Sequence, residues 1–290
     1  MILNLDLVIV AIFIPKSVNA LTIDYFAAAR VIASVVGYSD SLAYGLYPSI
    51  LSGDNPREKA NHVFELQAMI LAPMLIGAIV LGYRLLTLLN VNYTPGTVII
   101  IPLSISYAFY SLRPLVEGVI MGSEKVDTGE KMTVKQYFKS KLFLVSKIDL
   151  ATSFGYLASV FVFSIILADY TQVSFLGLTG LVIIGLVWGF ANLGRSFVTL
   201  LLKWVQAHKI ARLAIPLKTA LAVILSSGIF GFALYEINKI PIFAPSRGKI
   251  FQATELLVVG VLGLAVYVVV LYLLSGSARK LAKEIVSSIF

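Results

Sequence analysis

Arg30 and Asp40 lie inside one apolar stretch, Tyr25–Ile50, which the sequence predicts to be an unbroken helix. An ionisable side chain at bilayer depth costs a few kcal/mol or more, so it usually faces a cavity or a charged partner. Arginine also presents a planar fork of donors that matches phosphate oxygens and stays charged at any relevant pH. These residues therefore indicate a polar interior suited to an anion.

A second pair of charges, Arg113 and Glu117, is one helical turn apart in a later apolar stretch. Side chains at this spacing face the same way, so the two can form an intrahelical ion pair. Pro114 lacks the backbone N–H that a helix needs, which predicts a kink. The alternative to the ion pair is therefore a bent gating helix whose arginine faces a substrate.

Arg30 and Arg195 each allow two interpretations. Arg30 lies beside a ladder of small residues that favours close helix packing in lipid: Ala29, Ala33, Gly37, Ser41 and Gly45. Its side chain either projects into a cavity next to this seam or extends outward to the membrane surface. Arg195, about seven residues inside the predicted end of its span, leaves the same choice between surface and substrate. Gly185 and Gly189, on the same span, form a small-residue packing pair.

The carboxylates are ambiguous in a different way. Asp40 is far from both ends of its helix, so it either pairs with an arginine on another span or acts as a coupling carboxylate. Asp6 is buried if a further lobe packs against it.

Arg84 is predicted to reach the outer membrane surface. Four charges near span ends need no function: Asp149, Asp169, Lys218 and Glu255.

These residues belong to a 290-residue chain that is 59% hydrophobic and 13% charged, with a mean hydropathy of +0.92. Repeated apolar runs of about 20 residues match a bilayer, because a helix rises about 1.5 Å per residue across roughly 30 Å. The sequence predicts eight spans, of which the first is too short to cross comfortably. They are Ile2–Pro15, Tyr25–Ile50, Val63–Leu89, Thr97–Met121, Ile148–Asp169, Phe175–Leu202, Ala214–Glu236 and Ala253–Leu274. We predict an all-α, polytopic membrane bundle.

Lysine and arginine divide unequally between the two sides of this bundle. One side receives fourteen, around Arg57, in the Lys125–Lys147 and Lys203–Arg212 loops and in the tail, whereas the other receives four. The richer side is predicted to be cytoplasmic, with both termini inside. Because the net charge of +8 resides in these loops, it does not indicate a nucleic-acid partner. The chain has no cysteine and no P-loop, so we expect no thiolate metal site, no ATP drive and no cofactor.

The first 120 residues resemble the second half of the polysaccharide flippases in the multidrug/oligosaccharidyl-lipid/polysaccharide (MOP) exporter superfamily. The resemblance rests on short motifs in a matching order: NLDL at 4–7, YFAAARVIA at 25–33, LYPSI at 46–50, LAPM at 71–74, YRLL at 83–86 and MGSEK at 121–125. It implies a six-helix lobe over residues 1–204, including a basic cytoplasmic loop at 122–146. Residues 205–290 then add two spans and a tail.

The resemblance also implies a function and partners. The expected protein is a plasma-membrane flippase that translocates a lipid-linked, anionic oligosaccharide for polysaccharide or glycoprotein biosynthesis. Its cavity residues would be Arg30, Arg113 and Arg195, and its coupling or ion-pair residues Asp40, Glu117 and Asp6. Nothing in the sequence corresponds to the family's first lobe. A second lobe is therefore expected from another chain or a homodimer partner, or the sequence is a truncated form.

Two other classes remain open. A membrane-embedded polysaccharide polymerase or glycosyltransferase would need catalytic acids in a sizeable outer loop, but the predicted outer loop Ile237–Gln252 has no carboxylate. An ion-coupled small-molecule antiporter of the same superfamily would favour buried carboxylates over arginines. Asp40 and Glu117 keep that alternative open.

The charge asymmetry generates a topology prediction. Cysteine labels at Lys135 and at Ser246 should react from opposite sides of the membrane, with Lys135 on the cytoplasmic side. Accessibility measured in intact cells with a membrane-impermeant thiol reagent tests this directly, because the chain has no cysteine of its own. Labelling of both positions from one side would contradict the eight-span arrangement.

Overall fold

The chain folds into helices that follow its apolar runs. The structure, a computed structural model, describes residues 5–14, 16–51, 55–123, 138, 140–168, 174–175, 178–214, 216–239 and 248–289. Its α-helices are α1 (Leu5–Phe13), α2 (Lys16–Ser34), α3 (Leu46–Leu51), α4 (Pro56–Leu89), α5 (Thr97–Ser111), α6 (Arg113–Gly122), α7 (Lys141–Leu167), α8 (Gly180–Ala211), α9 (Leu217–Asn238), α10 (Gly248–Leu274) and α11 (Gly276–Ile289). Between α7 and α8, β1 (Ser174–Phe175) and β2 (Leu178–Thr179) pair antiparallel.

Within the described ranges, seven helical stretches are long and apolar enough to cross a bilayer. They are Ala20–Leu51, Pro56–Leu89, Val91–Gly122, Lys141–Leu167, Gly180–Ala211, Leu217–Asn238 and Gly248–Leu274. The nine residues of α1 span only about 13 Å, so α1 is too short to cross, as predicted. The chain is therefore a multi-pass, all-α membrane protein, and that prediction is confirmed.

Successive long helices run in opposite directions, so their ends collect at two faces of the bundle. The face here called the basic end carries most of the lysines and arginines outside the spans: Arg57, Lys141, Lys209, Arg212, Arg279, Lys280 and Lys283. The opposite end carries Lys239 and Lys249. Lys135 and Ser246 lie outside the described residues, as do most of the Lys125–Lys147 loop and the middle of the Ile237–Gln252 loop.

The prediction of an unbroken helix over Tyr25–Ile50 is wrong. The chain tightens to 3₁₀ geometry over Val35–Ala43 before α3 begins. A 3₁₀ helix has about 3.0 residues per turn instead of 3.6, so positions that would share an α-helical face diverge. Ala29 and Ala33 are fully buried, whereas Ser41 is exposed. The small-residue ladder therefore packs only in its first half.

Two prolines shape the helices that border the cavities. Pro114 follows a break at Leu112 between α5 and α6, which confirms the predicted kink. Pro73 lies inside α4, where its missing N–H frees the carbonyl of Met69. The Tyr267 hydroxyl of α10 donates to that carbonyl at 2.8 Å. Because lipid offers no hydrogen bond to a free carbonyl, this contact also fixes α10 to α4.

Glycines bring α8 close to α5. A Cβ on Gly185 would lie 2.5 Å from Cδ1 of Ile99, and one on Gly189 would lie 3.0 Å from Cγ of Pro102. The predicted packing role of the two glycines is confirmed. Close approach matters here because both helices carry side chains of the candidate site.

The last two spans attach mainly to α4. Their contact is an apolar cluster of buried residues: Met69, Leu81, Val223, Phe230, Leu234, Leu256, Val259, Tyr267 and Leu271. The α8 helix continues through residue 204 to Ala211 before the chain turns into α9. The predicted division of the chain at 204/205 thus falls inside a continuous helix.

Arg84 and Glu255 also join α4 to this pair of helices. Nη1 of Arg84 lies 2.8 Å from Oε1 of Glu255, and Nη2 donates to the carbonyl of Asn238. Glu255, which the sequence analysis left without a function, therefore has a structural partner, and Arg84 near the outer end of α4 provides it. Each neutralises the other between helices, which a lipid environment favours.

Substitution of Glu255 tests this link. Glu255→Gln should lower the free energy of unfolding by about 2 kcal/mol, because a charge-assisted hydrogen bond is lost. Thermal unfolding of the purified chain in detergent measures the effect. Glu236→Gln removes the exposed Lys239–Glu236 pair and is the matched control, with no measurable change expected. Equal effects of both substitutions would refute a structural role for Glu255.

Candidate functional site

A polar cavity of about 340 Å³, here called the central cavity, lies among α1, α2, α5, α6, α7 and α8. It is lined by all three arginines that the sequence analysis selected: Arg30 from α2, Arg113 from α6 and Arg195 from α8. The other lining residues are Asp6, Phe26, Ser106, Tyr107, Tyr110, Asp149, Tyr156, Asn192 and Ser196. The fold thus brings together three cations that are far apart in the sequence.

Arg30 faces the cavity from the α-helical part of its span. Its Nε donates to the Tyr107 hydroxyl of α5 at 3.3 Å. Among the described residues, no carboxylate forms an ion pair with Arg30. Its charge is therefore held by a neutral partner, and its remaining N–H donors have capacity for an anion.

Arg195 lies near the middle of α8 because that helix extends to Ala211, well beyond its predicted end. A side chain at this depth cannot reach the membrane surface, so that interpretation is wrong. Nη2 of Arg195 donates to Ser153 at 2.8 Å, and the guanidinium lies 5.3 Å from the Tyr156 ring centre. Its Nε is buried without a hydrogen-bond partner among the described residues. Like Arg30, it forms no ion pair there.

Arg113 is the most buried of the three arginines, with 7% of its surface exposed. Its guanidinium lies 4.8 Å from the Tyr110 ring centre, and Nη1 is 3.7 Å from Oδ1 of Asp149. That distance is too long for a hydrogen bond. Nε of Arg113 is also buried without a partner among the described residues. Arg113 is thus only loosely neutralised.

The predicted Arg113–Glu117 ion pair does not form. Glu117 instead accepts from Nζ of Lys203 at 2.5 Å, and the same ammonium donates to Oδ2 of Asp149 at 2.7 Å. Lys203 is completely buried. One lysine of α8 therefore bridges a carboxylate of α6 and a carboxylate of α7, and leaves Arg113 with the weaker contact.

Sequence reasoning missed Lys203 and assigned no role to Asp149. Lys203 follows the predicted end of its span by one residue and was therefore counted with the loop. A usable signal was present, since Asn192, Ser196, Thr199 and Lys203 recur at the three- to four-residue spacing of one helical face. Had this polar stripe been followed, α8 would have been extended and Lys203 placed inside the bundle.

Asp40 and Glu117 border a second cavity of about 390 Å³, here called the side cavity. It shares Tyr110, Arg113 and Asp149 with the central cavity, so the two adjoin. Asp40 accepts a hydrogen bond from Tyr44 at 3.0 Å and forms no ion pair among the described residues. The predicted pairing with an arginine of another span is therefore wrong.

Asp6 is 2% exposed within this chain alone. Its Oδ2 accepts from the Tyr156 hydroxyl at 2.7 Å and from Nε1 of Trp188 at 3.3 Å. Phe26 stacks on Trp188 with ring centres 3.7 Å apart. These neutral donors and rings hold α1, α2, α7 and α8 together and satisfy one oxygen of the carboxylate.

The two carboxylates of the central cavity form their close contacts with other groups, Asp6 with the neutral donors of Tyr156 and Trp188 and Asp149 chiefly with Lys203. Three guanidinium groups remain with spare donors and only one loose ionic contact. Arg–phosphate contacts are charge-assisted and frequently bidentate, which favours an anion with several oxygens. A site of this composition is suited to binding and orienting such an anion.

Comparison with known proteins finds no matching family model, no matching curated protein and no matching solved structure.

The bridge at Lys203 makes a prediction about stability. Lys203→Met should lower the free energy of unfolding by about 3 kcal/mol, since Glu117 then loses its ionic partner and Asp149 keeps only the long contact with Arg113. Thermal unfolding in detergent measures the loss. Adding Asp149→Asn and Glu117→Gln to Lys203→Met should recover part of it, because the uncompensated charges are removed.

Lys209→Met is the matched control for this series, since Lys209 is on the same helix but exposed. It should unfold at the temperature of the unmodified chain. If Lys203→Met also did so, the buried bridge would not be a structural element of the bundle.

Proposed function

We propose that this chain is one lobe of a flippase that moves a lipid-linked oligosaccharide across the plasma membrane for polysaccharide or glycoprotein biosynthesis. One observation supports this most directly: the central cavity combines Arg30 and Arg195, which form no ion pair among the described residues, with the loosely paired Arg113. Arginines without a close ionic partner are costly within a bilayer. An anionic headgroup would supply such partners.

The chemistry of the cavity favours a diphosphate. Its two phosphate groups offer enough oxygens to engage more than one guanidinium at a time, and each contact can be bidentate. Lysine, by contrast, is confined here to the buried bridge with Glu117 and Asp149. The glycan would occupy the wider space toward the second lobe, and the lipid tail would stay in the bilayer.

Asp149 has a part in this proposal. Its Oδ1 is the loose partner of Arg113, while its Oδ2 is held by Lys203 at 2.7 Å. A phosphate that enters the cavity can take Arg113 from Asp149 without leaving that carboxylate unpaired, because Nζ of Lys203 still donates to its other oxygen. Departure of the phosphate returns Arg113 to Asp149. Such an exchange lowers the free-energy cost of substrate release, because Arg113 then regains its contact with Asp149.

The arrangement in the membrane follows from charge. The basic end, with the C-terminal helix α11, would face the cytoplasm. Because the described chain has seven crossing stretches, the first of them would begin on the opposite side, which does not agree with the predicted cytoplasmic N-terminus. The side cavity lies next to the central cavity and extends along α6 past Glu117 to Met121, toward the basic end. It would form the cytoplasmic approach to the arginines. A second lobe, from another chain or a homodimer partner, would complete the pathway.

An ion-coupled small-molecule antiporter is the second candidate, and Asp40 favours it. This carboxylate borders the side cavity and has only a tyrosine hydroxyl as its hydrogen-bond partner among the described residues. A coupling ion could bind there. The two candidates differ in their dependence on the arginines, because a cationic or neutral substrate would not need Arg30.

Substitution of Arg30 distinguishes a requirement for the shape of the guanidinium group from a requirement for its charge. Arg30→Lys should lose most transport although it keeps the charge, since lysine cannot make the bidentate contact. Arg30→Ala should weaken apparent substrate affinity by roughly 2–4 kcal/mol. Export of the glycan in a strain without its native transporter is the assay, with binding of a polyprenyl diphosphate to the purified chain measured in parallel.

Arg57→Ala and Arg57→Lys are the matched controls, since Arg57 is exposed at the basic end outside both cavities. Membrane abundance of every variant should stay near that of the unmodified chain, because Arg30 contributes one neutral hydrogen bond to packing. Full transport and binding by both Arg30 variants at normal abundance would remove the diphosphate assignment. Transport that is retained by both Arg30 variants but lost in Asp40→Asn would favour the antiporter.

A further inference from the structure

A long apolar groove of about 630 Å³ runs between α4 and α10, away from both polar cavities. Its walls include Met69 and Gly77 of α4, Leu234 of α9, and Gly260 and Leu271 of α10. From Gly260 to Leu271 it follows α10 for about 16 Å, the depth of one leaflet of a hydrocarbon core roughly 30 Å thick. The groove has the length and polarity for one hydrocarbon chain.

Two polar groups in the wall of this groove, the Met69 carbonyl and the Tyr267 hydroxyl, satisfy each other. The Met69 carbonyl, freed by Pro73, accepts from the Tyr267 hydroxyl at 2.8 Å. That hydroxyl is therefore not available to a ligand. The groove offers hydrocarbon contact along its length, and any recognition of a polar headgroup must occur at its end.

At the basic end, α11 closes the groove. The residues of α11 that line it are small or apolar: Ala278, Leu281 and Ala282. The residues on its remaining face include three exposed cations: Arg279, Lys280 and Lys283. This division is typical of a helix that lies at a membrane surface with its basic face toward anionic lipid headgroups.

Hydrogen bonds fix the position of α11. It begins one residue after α10, and Oγ of Ser275 accepts from the N–H of Ala278 at 3.2 Å. The hydroxyl of Ser277 lies 3.3 Å from that of Thr219 on α9. The basic face is thereby held at the end of the groove instead of swinging free.

We propose that this groove binds one glycerophospholipid with an anionic headgroup. An acyl chain lies along α10 between Gly77 and Gly260, and the headgroup phosphate contacts Arg279 and Lys283, which are one turn apart on α11. The bound lipid braces α9 and α10 against α4. The site is separate from the central cavity and does not depend on the proposed transport function.

Native mass spectrometry of the purified full chain in neutral detergent tests the proposal with two lipids of identical chains, dioleoyl phosphatidylglycerol and dioleoyl phosphatidylcholine. We expect one phosphatidylglycerol per chain, bound about tenfold more tightly than phosphatidylcholine because of the basic face. Gly260→Leu and Gly77→Leu place a side chain in open space within the groove and should abolish this binding. The double substitution Arg279→Gln with Lys283→Gln should remove only the headgroup preference.

Gly228→Leu is the matched control, since Gly228 on α9 also faces open space but does not line the groove. It should bind phosphatidylglycerol as the unmodified chain does. Equal binding of the two lipids by the unmodified chain would overturn the proposal, and so would full phosphatidylglycerol binding by both groove variants. Preference for a polyprenyl phosphate over phosphatidylglycerol would also overturn it and assign the groove to the tail of the transported lipid.

Discussion

A buried ammonium group bridging two carboxylates is the constraint on which the interior depends. Lys203 has no exposed surface, so its charge must be neutralised where it lies. It is held by Glu117 from α6 and Asp149 from α7, at 2.5 and 2.7 Å. This triad fixes three helices at one depth in the membrane. It also decides which contacts remain for the arginines, because Lys203 takes the close contacts of Glu117 and Asp149 and leaves Arg113 the longer one at 3.7 Å.

The lining of the central cavity is cationic because of the way these contacts are distributed. Arg30 and Arg195 are held by a tyrosine and a serine hydroxyl, and Arg113 has only a long contact with Asp149. Neutral hydrogen bonds orient a guanidinium without cancelling its charge. An interior that contains nearly balanced charges can therefore still present a cationic surface to a ligand, which supports the proposed phosphate chemistry.

Irregular backbone accompanies the polar interior. The 3₁₀ segment Val35–Ala43 lies where Ser39 and Ser41 each donate to a carbonyl three residues earlier, at 3.1 Å. Such local bonds compete with regular helix geometry. The break at Leu112 before Pro114 re-aims α6, so that Arg113 reaches both cavities. In a bilayer these departures are tolerated where protein or a cavity, instead of lipid, surrounds the backbone.

The sequence by itself determined the membrane class, the approximate spans, the kink at Pro114 and the packing role of Gly185, because each depends on local composition or spacing. It also singled out the arginines, since a cation in an apolar run is costly wherever the helix lies. Only the tertiary structure decided which charges pair. Lys203 meets partners 54 and 86 residues away, and Arg84 meets Glu255 at a separation of 171. Those partners depend on which helices pack side by side, and the 3₁₀ segment and the extension of α8 shifted the helical faces that periodicity alone had assigned.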